Sequence, residues 1–155
     1  PLKAEIWGET AIGEVVVHGK ADRIDRLAGG EGLAIVDYKT GKAPALKAVE
    51  AGFALQLGLL GLIAKAGGFQ GVSGDPQVHE YWSLTKQRDG FGQRVCPDRK
   101  MAPGDFLAHA QAHFSEAARK WLTGEEPFTA KLHPAYAPYG DFDQLMRLEE
   151  WYGRE

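Results

Sequence analysis

The chain has 155 residues, 44% of them hydrophobic and 25% charged, which suits one globular domain with a buried core and excludes a disordered polymer. No apolar run reaches the roughly 18 residues that cross a bilayer, and no secretory signal pattern is visible. A single cysteine, Cys96, excludes an internal disulfide, and a formal net charge of -3 is not that of a purely electrostatic nucleic-acid binder.

Residues 2–10 (LKAEIWGET) and 14–18 (EVVVH) read as a strand pair around Gly13, the second running on into the segment that carries Asp22. His18 shares the parity of Asp22. Four residues along a strand separate the two by roughly 13 Å at about 3.3 Å per residue, so His18 is expected as a polar strand residue and not as part of a common ligand set. Glu9 and Glu14 read as solvent-facing strand acids.

Alternation places Leu33, Ile35, Asp37 and Lys39 on one face of the next strand, with Ala34, Val36 and Tyr38 on the other. Gly29, Gly30 and Gly32 lie between these two β-type runs and signal a hairpin. If Gly29 and Gly30 are the central turn residues, Asp22 falls opposite Asp37. A four-residue loop over 29–32 sets it opposite Lys39 instead. Either register collects Asp22, Asp37 and Lys39 on one face, with opposed β-carbons about 4.5 to 5.5 Å apart. A three-residue loop without a bulge would send Asp22 to the other face. Arg23 and Asp25 alternate away from Asp22, which makes Asp25 a structural partner for an arginine. Two carboxylates and a lysine at the end of a hairpin suit a Mg²⁺ or Mn²⁺ site at which the lysine orients or deprotonates an attacking water. The same three residues could also form a plain surface ion pair worth about 0 to 1 kcal/mol.

The loop GKAPALK follows, with Lys42 and Lys47 as phosphate contacts or as solvated loop lysines. From Lys47 to Ala66 the period turns helical through Val49, Phe53, Leu57, Leu60 and Ala64, with Gln56 just before Leu57 and Gly67 and Gly68 as the cap. QVHEYWSL (77–84) reads as a strand that FGQRVC (91–96) can pair with across KQRDG, and Tyr81 and Trp82 are expected in the core, with stacking on bases as the alternative. Residues 104–123 form a second amphipathic helix. Its His109 and His113 are spaced i, i+4, but no HEXXH glutamate or third ligand accompanies them, so they read as polar-face residues. The tail after Gly124 is rich in aromatics and prolines. No glycine-rich phosphate loop, G-x-S-x-G elbow or nucleotide fingerprint is present.

Three motifs in order, GKADRID (19–25), LAIVDYKTG (33–41) and LQLGLLGLIA (55–64), together resemble the PD-(D/E)xK nucleases of the RecB type. Among these the chain is most similar to the C-terminal nuclease domains of the AddB family of double-strand break repair helicase-nuclease subunits, and its tail, 127–153, is similar to the end of those proteins. The resemblance implies an α/β (α+β) fold with a restriction-endonuclease-like core, a central mixed β-sheet whose hairpin carries the acids, and flanking helices. It implies that Asp22, Asp37 and the Tyr38 backbone carbonyl hold Mg²⁺ (or Mn²⁺), that Lys39 is catalytic, that Gln56 assists, and that Lys42 and Lys47 can contact DNA.

The expected function is then Mg²⁺-dependent hydrolysis of DNA by a cytoplasmic exonuclease, with an AddA-type partner subunit and no membrane. The whole chain, 1–155, is expected to be one nuclease domain and a C-terminal fragment of a larger protein, with 124–155 packing on the core or on a partner. Related nucleases place a helix bearing a histidine ligand upstream of the first acid. Here the residues before Asp22 read as strands, so that helix is expected upstream of Pro1. Where relatives carry an aromatic residue after the Q-L pair, this chain has Leu59 and Leu60. Some related nucleases hold an iron-sulfur cluster with four cysteines, which one cysteine cannot build. The competing expectation is a non-catalytic module that keeps the fold for DNA guidance or subunit assembly.

Overall fold

The computed structural model describes residues 1–30, 32–87, 90–99, 101–128 and 135–136. The chain divides into two compact units, Pro1–Glu125 and Glu126–Glu155, and every element named below belongs to the first. Arg88 and Asp89 of the KQRDG turn and most of the aromatic tail fall outside the described residues.

Five strands, β1 (Lys3–Ile12), β2 (Val15–Arg26), β3 (Gly32–Lys39), β4 (Asp75–Gln87) and β5 (Gly90–Val95), lie in sequence order in one sheet. Every neighbouring pair is antiparallel except β3 and β4, which run parallel. A parallel step needs a crossover, and here it carries α1 (Leu46–Glu50) and α2 (Gln56–Lys65). After β5 comes α3 (Pro103–Ala117), which widens into a π-helical turn over Ala118–Leu122 where Thr123 N–H donates to the Ala118 carbonyl at 2.9 Å. The result is the mixed sheet with flanking helices that the family resemblance implies.

The core joins one side of the sheet to the helices. Leu57, Leu60, Ile63 and Ala64 of α2 are buried with Ile24, Leu33 and Ile35 of the sheet and with Phe106 and Leu107 of α3. β3 is buried from Gly32 to Asp37 whatever the parity, the behaviour of a central strand at a parallel step and not of a half-exposed one.

The β2–β3 hairpin adopts the first of the two expected registers. Arg23 pairs with Val36 and Ile24 with Ile35, so one further step sets Asp22 opposite Asp37. Leu27 N–H donates to the Gly32 carbonyl at 2.9 Å, and Gly29 and Gly30 take φ values of 108° and 95° in the turn between.

Strict alternation fails in β2, however. Ala21 and Ile24 are both fully buried although three residues apart, and the β1–β2 ladder lacks the pair of Glu5 with Asp22. Glu5 sits at φ 52°, in the left-handed region that residues other than glycine rarely enter. The strand turns its face at Asp22. His18 therefore does not share the face of Asp22: it is exposed, with its ring against Trp7 at 6.2 Å.

A second departure concerns the helix expected over 47–66, which is two helices. Gly52, at φ 78°, ends α1, with Phe53 N–H donating to the Ala48 carbonyl and Gly52 N–H to the Val49 carbonyl, the bond pair of a Schellman cap. Periodicity alone runs through such a break because the apolar stripe resumes after it. The i, i+4 histidines explain where α1 ends: His109 Nε2 lies 3.1 Å from the Val49 carbonyl, and the His113 ring fills the space beside Gly52. They are half-buried packing residues against α1, not a solvated polar face.

A Cβ at Gly52 would meet His113 Nδ1 at 2.3 Å, in a backbone conformation that alanine adopts with strain. Gly52→Ala should lower unfolding stability by about 1 to 3 kcal/mol. In urea melts, His113→Ala in the same chain should restore part of that loss. Additive effects of the two substitutions would show that the ring contact is not the cause.

Candidate active site

Asp37 and Lys39 stand two residues apart on β3 and so share a face. Because α2 starts at Gln56, that side chain leaves the first turn of the helix toward the same strand end. Gln56 Nε2 donates to Asp37 Oδ1 at 2.6 Å. Lys39 Nζ donates to Gln56 Oε1 at 2.8 Å and lies 2.8 Å from Asp37 Oδ2. The three side chains thus close a ring in which the glutamine fixes both charged partners.

Asp22 approaches from β2. Its Oδ2 accepts the Tyr38 backbone N–H at 2.8 Å, a donor that the β2–β3 ladder, ending at Arg23 and Val36, leaves over. The Tyr38 peptide therefore lies between the two acids. Asp37 is only 3% exposed, whereas Asp22 is half-buried. Burial raises the Asp37 carboxyl above its usual 3.8; Lys39 and Gln56 oppose the shift and the Asp22 charge adds to it.

Tyr81 is buried in the core, as expected, and is also the ladder partner of Asp37 on β4, where it supports this arrangement. Lys39 Nζ stands 5.4 Å from its ring centroid. Its phenol is pushed up to about 12, chiefly by burial and further by Asp37, while a hydrogen bond with the Leu57 backbone opposes the shift. Tyr81 thereby ties the first turn of α2 to the sheet. His79, Tyr81 and Ser83 alternate onto one face of β4, and the parallel register makes that face the one carrying Asp37 and Lys39. Ser83, partner of Lys39, donates from Oγ to the Gly41 carbonyl at 2.9 Å and pins the loop that follows.

On the opposite face, Arg23 Nε donates to Asp25 Oδ1 at 2.8 Å, as expected. The guanidinium also reaches the Tyr38 hydroxyl at 3.3 Å and lies 4.9 Å from the centroid of Trp82. This arginine holds the Asp25 carboxyl below the usual range. The structure brings together Asp22, Asp37, Lys39 and Gln56. Lys42 and Lys47 are exposed, on the 41–44 loop and on α1, and no described hydrogen bond or ion pair joins them to the ring.

The donor set suits a hard divalent cation. Asp37 Oδ2 is buried and ion-paired with Lys39 but receives no aligned hydrogen bond, and a second carboxylate acts on it. Among the described residues no group of three or more His, Cys, Asp or Glu gathers. The protein donors on hand are thus the two carboxylates and the intervening backbone, with water left to complete a shell.

A mixed five-stranded sheet with flanking helices, and an acid-x-lysine strand end facing an acid across a hairpin, define the restriction-endonuclease-like α+β class. The chain belongs to the PD-(D/E)XK nuclease superfamily, whose family model matches residues 1–136. Members of that superfamily are generally metal-dependent nucleases, usually with Mg²⁺, and the fold implies a DNA substrate. No curated protein and no solved structure matches the chain. Among the described residues, no helix is long and apolar enough to cross a membrane.

The raised Asp37 carboxyl fixes the sign of a pH effect. Its charged form is disfavoured in the fold, so its contribution to stability is intact below the unfolded value of about 3.9 and is lost as pH rises through that value toward the folded one. In chelator, Asp37→Asn should therefore melt above the wild type at pH 7, with the gap closing by about pH 3 to 4. Thermal melts across that range check this. A lower melting point at pH 7 would show that Lys39 and Gln56 more than offset the burial.

Proposed function

We propose that the chain is a RecB-type DNA nuclease domain, extending over 1–155, that hydrolyses phosphodiester bonds with Asp22, Asp37, Lys39 and Gln56 at its centre. The observation that carries this reading is the ring of Asp37, Gln56 and Lys39 beside Asp22, built on a chain of the PD-(D/E)XK superfamily. Asp22, Asp37 and the Tyr38 backbone carbonyl hold the metal. When bound, Mg²⁺ polarises a phosphoryl oxygen and makes water a better nucleophile.

Lys39 orients the attacking water. Its Nζ is set by two partners at 2.8 Å, so its direction is fixed before substrate arrives. Attack by the water oxygen on phosphorus breaks the bond to the 3′-oxygen. Gln56 is a positioning residue: one amide orients the carboxylate through Nε2 and the lysine through Oε1. Lys42 and Lys47 contribute DNA contacts outside the ring.

The order and spacing of GKADRID, LAIVDYKTG and LQLGLLGLIA support a finer assignment. In it the chain is an AddB-like exonuclease of double-strand break repair, cytoplasmic, working in a helicase-nuclease complex with an AddA-type subunit. Such an assembly would also supply basic surface that a chain of net charge -3 lacks.

Lys39→Ala and Asp37→Ala should each reduce Mg²⁺-dependent cleavage of DNA by at least about 10²-fold while keeping a cooperative thermal transition. Full activity in Lys39→Ala would refute the mechanism. Millimolar Mn²⁺ should raise the melting temperature of the wild type and leave Asp37→Ala unmoved. Absence of that shift in the wild type would favour the non-catalytic module.

A further inference from the structure

A cleft of about 530 Å³ opens between the 41–44 loop and the β4–β5 hairpin. Gly41, Lys42, Ser83, Thr85, Lys86 and Gln93 are among the residues that line it. Among the described residues its lining contains two lysines and no acid, in a chain whose net charge is -3. The cleft adjoins the ring directly: Ser83 is the ladder partner of Lys39, and its hydroxyl holds the Gly41 carbonyl at the cleft's edge.

Lys86 is there because the sheet is irregular. Ser83 and Lys86 have opposite parity, so a regular β4 would place them on opposite faces. The β4–β5 register shifts between Ser83 and Lys86, and Thr85 and Lys86, though adjacent, both line the cleft. Irregularities of this kind re-aim side chains beside active sites. Here one brings Lys86, beside Thr85, into the same lining as Lys42 and Gln93.

We infer that this cleft seats the sugar-phosphate backbone of the DNA strand that flanks the scissile phosphate, with Lys42 and Lys86 as its phosphate contacts. The inference rests on the nuclease reading above and adds Lys86, which no motif singled out, to the binding surface. About 530 Å³ is in the range that encloses a small organic ligand, roughly one or two nucleotides of one strand. Lysines and polar side chains in one lining suit phosphates and sugars and read no base edge.

Equilibrium binding of a labelled oligonucleotide to the full chain in chelator, over a salt series, tests it. Lys42→Glu/Lys86→Glu should weaken binding about uniformly across sequences and reduce the slope of log K against log salt by about 0.7 to 0.9 per lysine removed. Lys86→Arg should keep the wild-type slope. Lys65→Glu, on the far end of α2, reports the effect of half the double variant's charge change outside the cleft.

A double variant whose affinity and slope match those of Lys65→Glu overturns the inference. So does a deoxynucleoside monophosphate that binds as tightly as the oligonucleotide, which would make the cleft a mononucleotide pocket. If the wild type cleaves DNA with Mg²⁺ while the double variant binds unchanged, only the cleft assignment falls. If the wild type neither binds nor cleaves, the nuclease reading falls with it.

Discussion

Burying the Asp37 carboxylate is unfavourable, and the elements around it are arranged to hold it there. It stands at the end of the central strand, 3% exposed, with its carboxyl raised by that burial. Lys39 and Gln56 offset part of the penalty. Each of these contacts depends on something further away. Gln56 reaches Asp37 only because α2 begins at residue 56, which in turn requires α1 to stop at Gly52. α1 stops against the histidines of α3, and the first turn of α2 is tied to the sheet by Tyr81. Much of the crossover between β3 and β4 is thus committed to placing one amide beside one carboxylate.

The other side of the strand is held as firmly. Tyr38, between Asp37 and Lys39, sends its ring to the opposite face, where Trp82 lies 5.8 Å away and Arg23 reaches the hydroxyl. Asp25 orients that arginine from β2. Asp22, also from β2, takes the Tyr38 N–H. The peptide joining the acid to the lysine is therefore fixed through its backbone and its side chain, the kind of support that keeps a polar site within its working geometry. Arg23 and Asp25, charged residues inside the first motif, act through Tyr38.

Local pattern and long-range register divide what could be read beforehand. The hairpin, its two glycines, the shared face of Asp37 and Lys39 and the pairing of Arg23 with Asp25 follow from alternation and turn chemistry, which are properties of neighbours in sequence. The pairing of 77–84 with 91–96 and the helix over 104–123 follow from alternation, turn chemistry and periodicity. What escaped depends on contacts between distant segments. The turn of β2 at Asp22 coincides with the positive φ of Glu5 on β1, the break at Gly52 packs against His113 of α3, and the place of Tyr81 follows from a parallel register that no hairpin signal encodes. The position of Gln56 shows both sides. Its motif marked it, while the start of α2, which decides where its amide points, lay hidden under a continuous apolar stripe.

Charge explains why such a site would be kept. Asp22, Asp37 and Lys39 together carry one net negative charge, and Asp37 sits in a buried position that disfavours its ion. A phosphodiester adds another negative charge, so the bare site repels the substrate that the family implies. A bound divalent cation would turn the local sum positive before the phosphate arrives, and it would replace the solvation that Asp37 has lost. Burial that disfavours the bare ion would then make the carboxylate a strong ligand. The same argument limits what the net charge of -3 says about DNA binding, because Asp22 and Asp37, which contribute to it, are the acids that a cation at the proposed site would neutralise first.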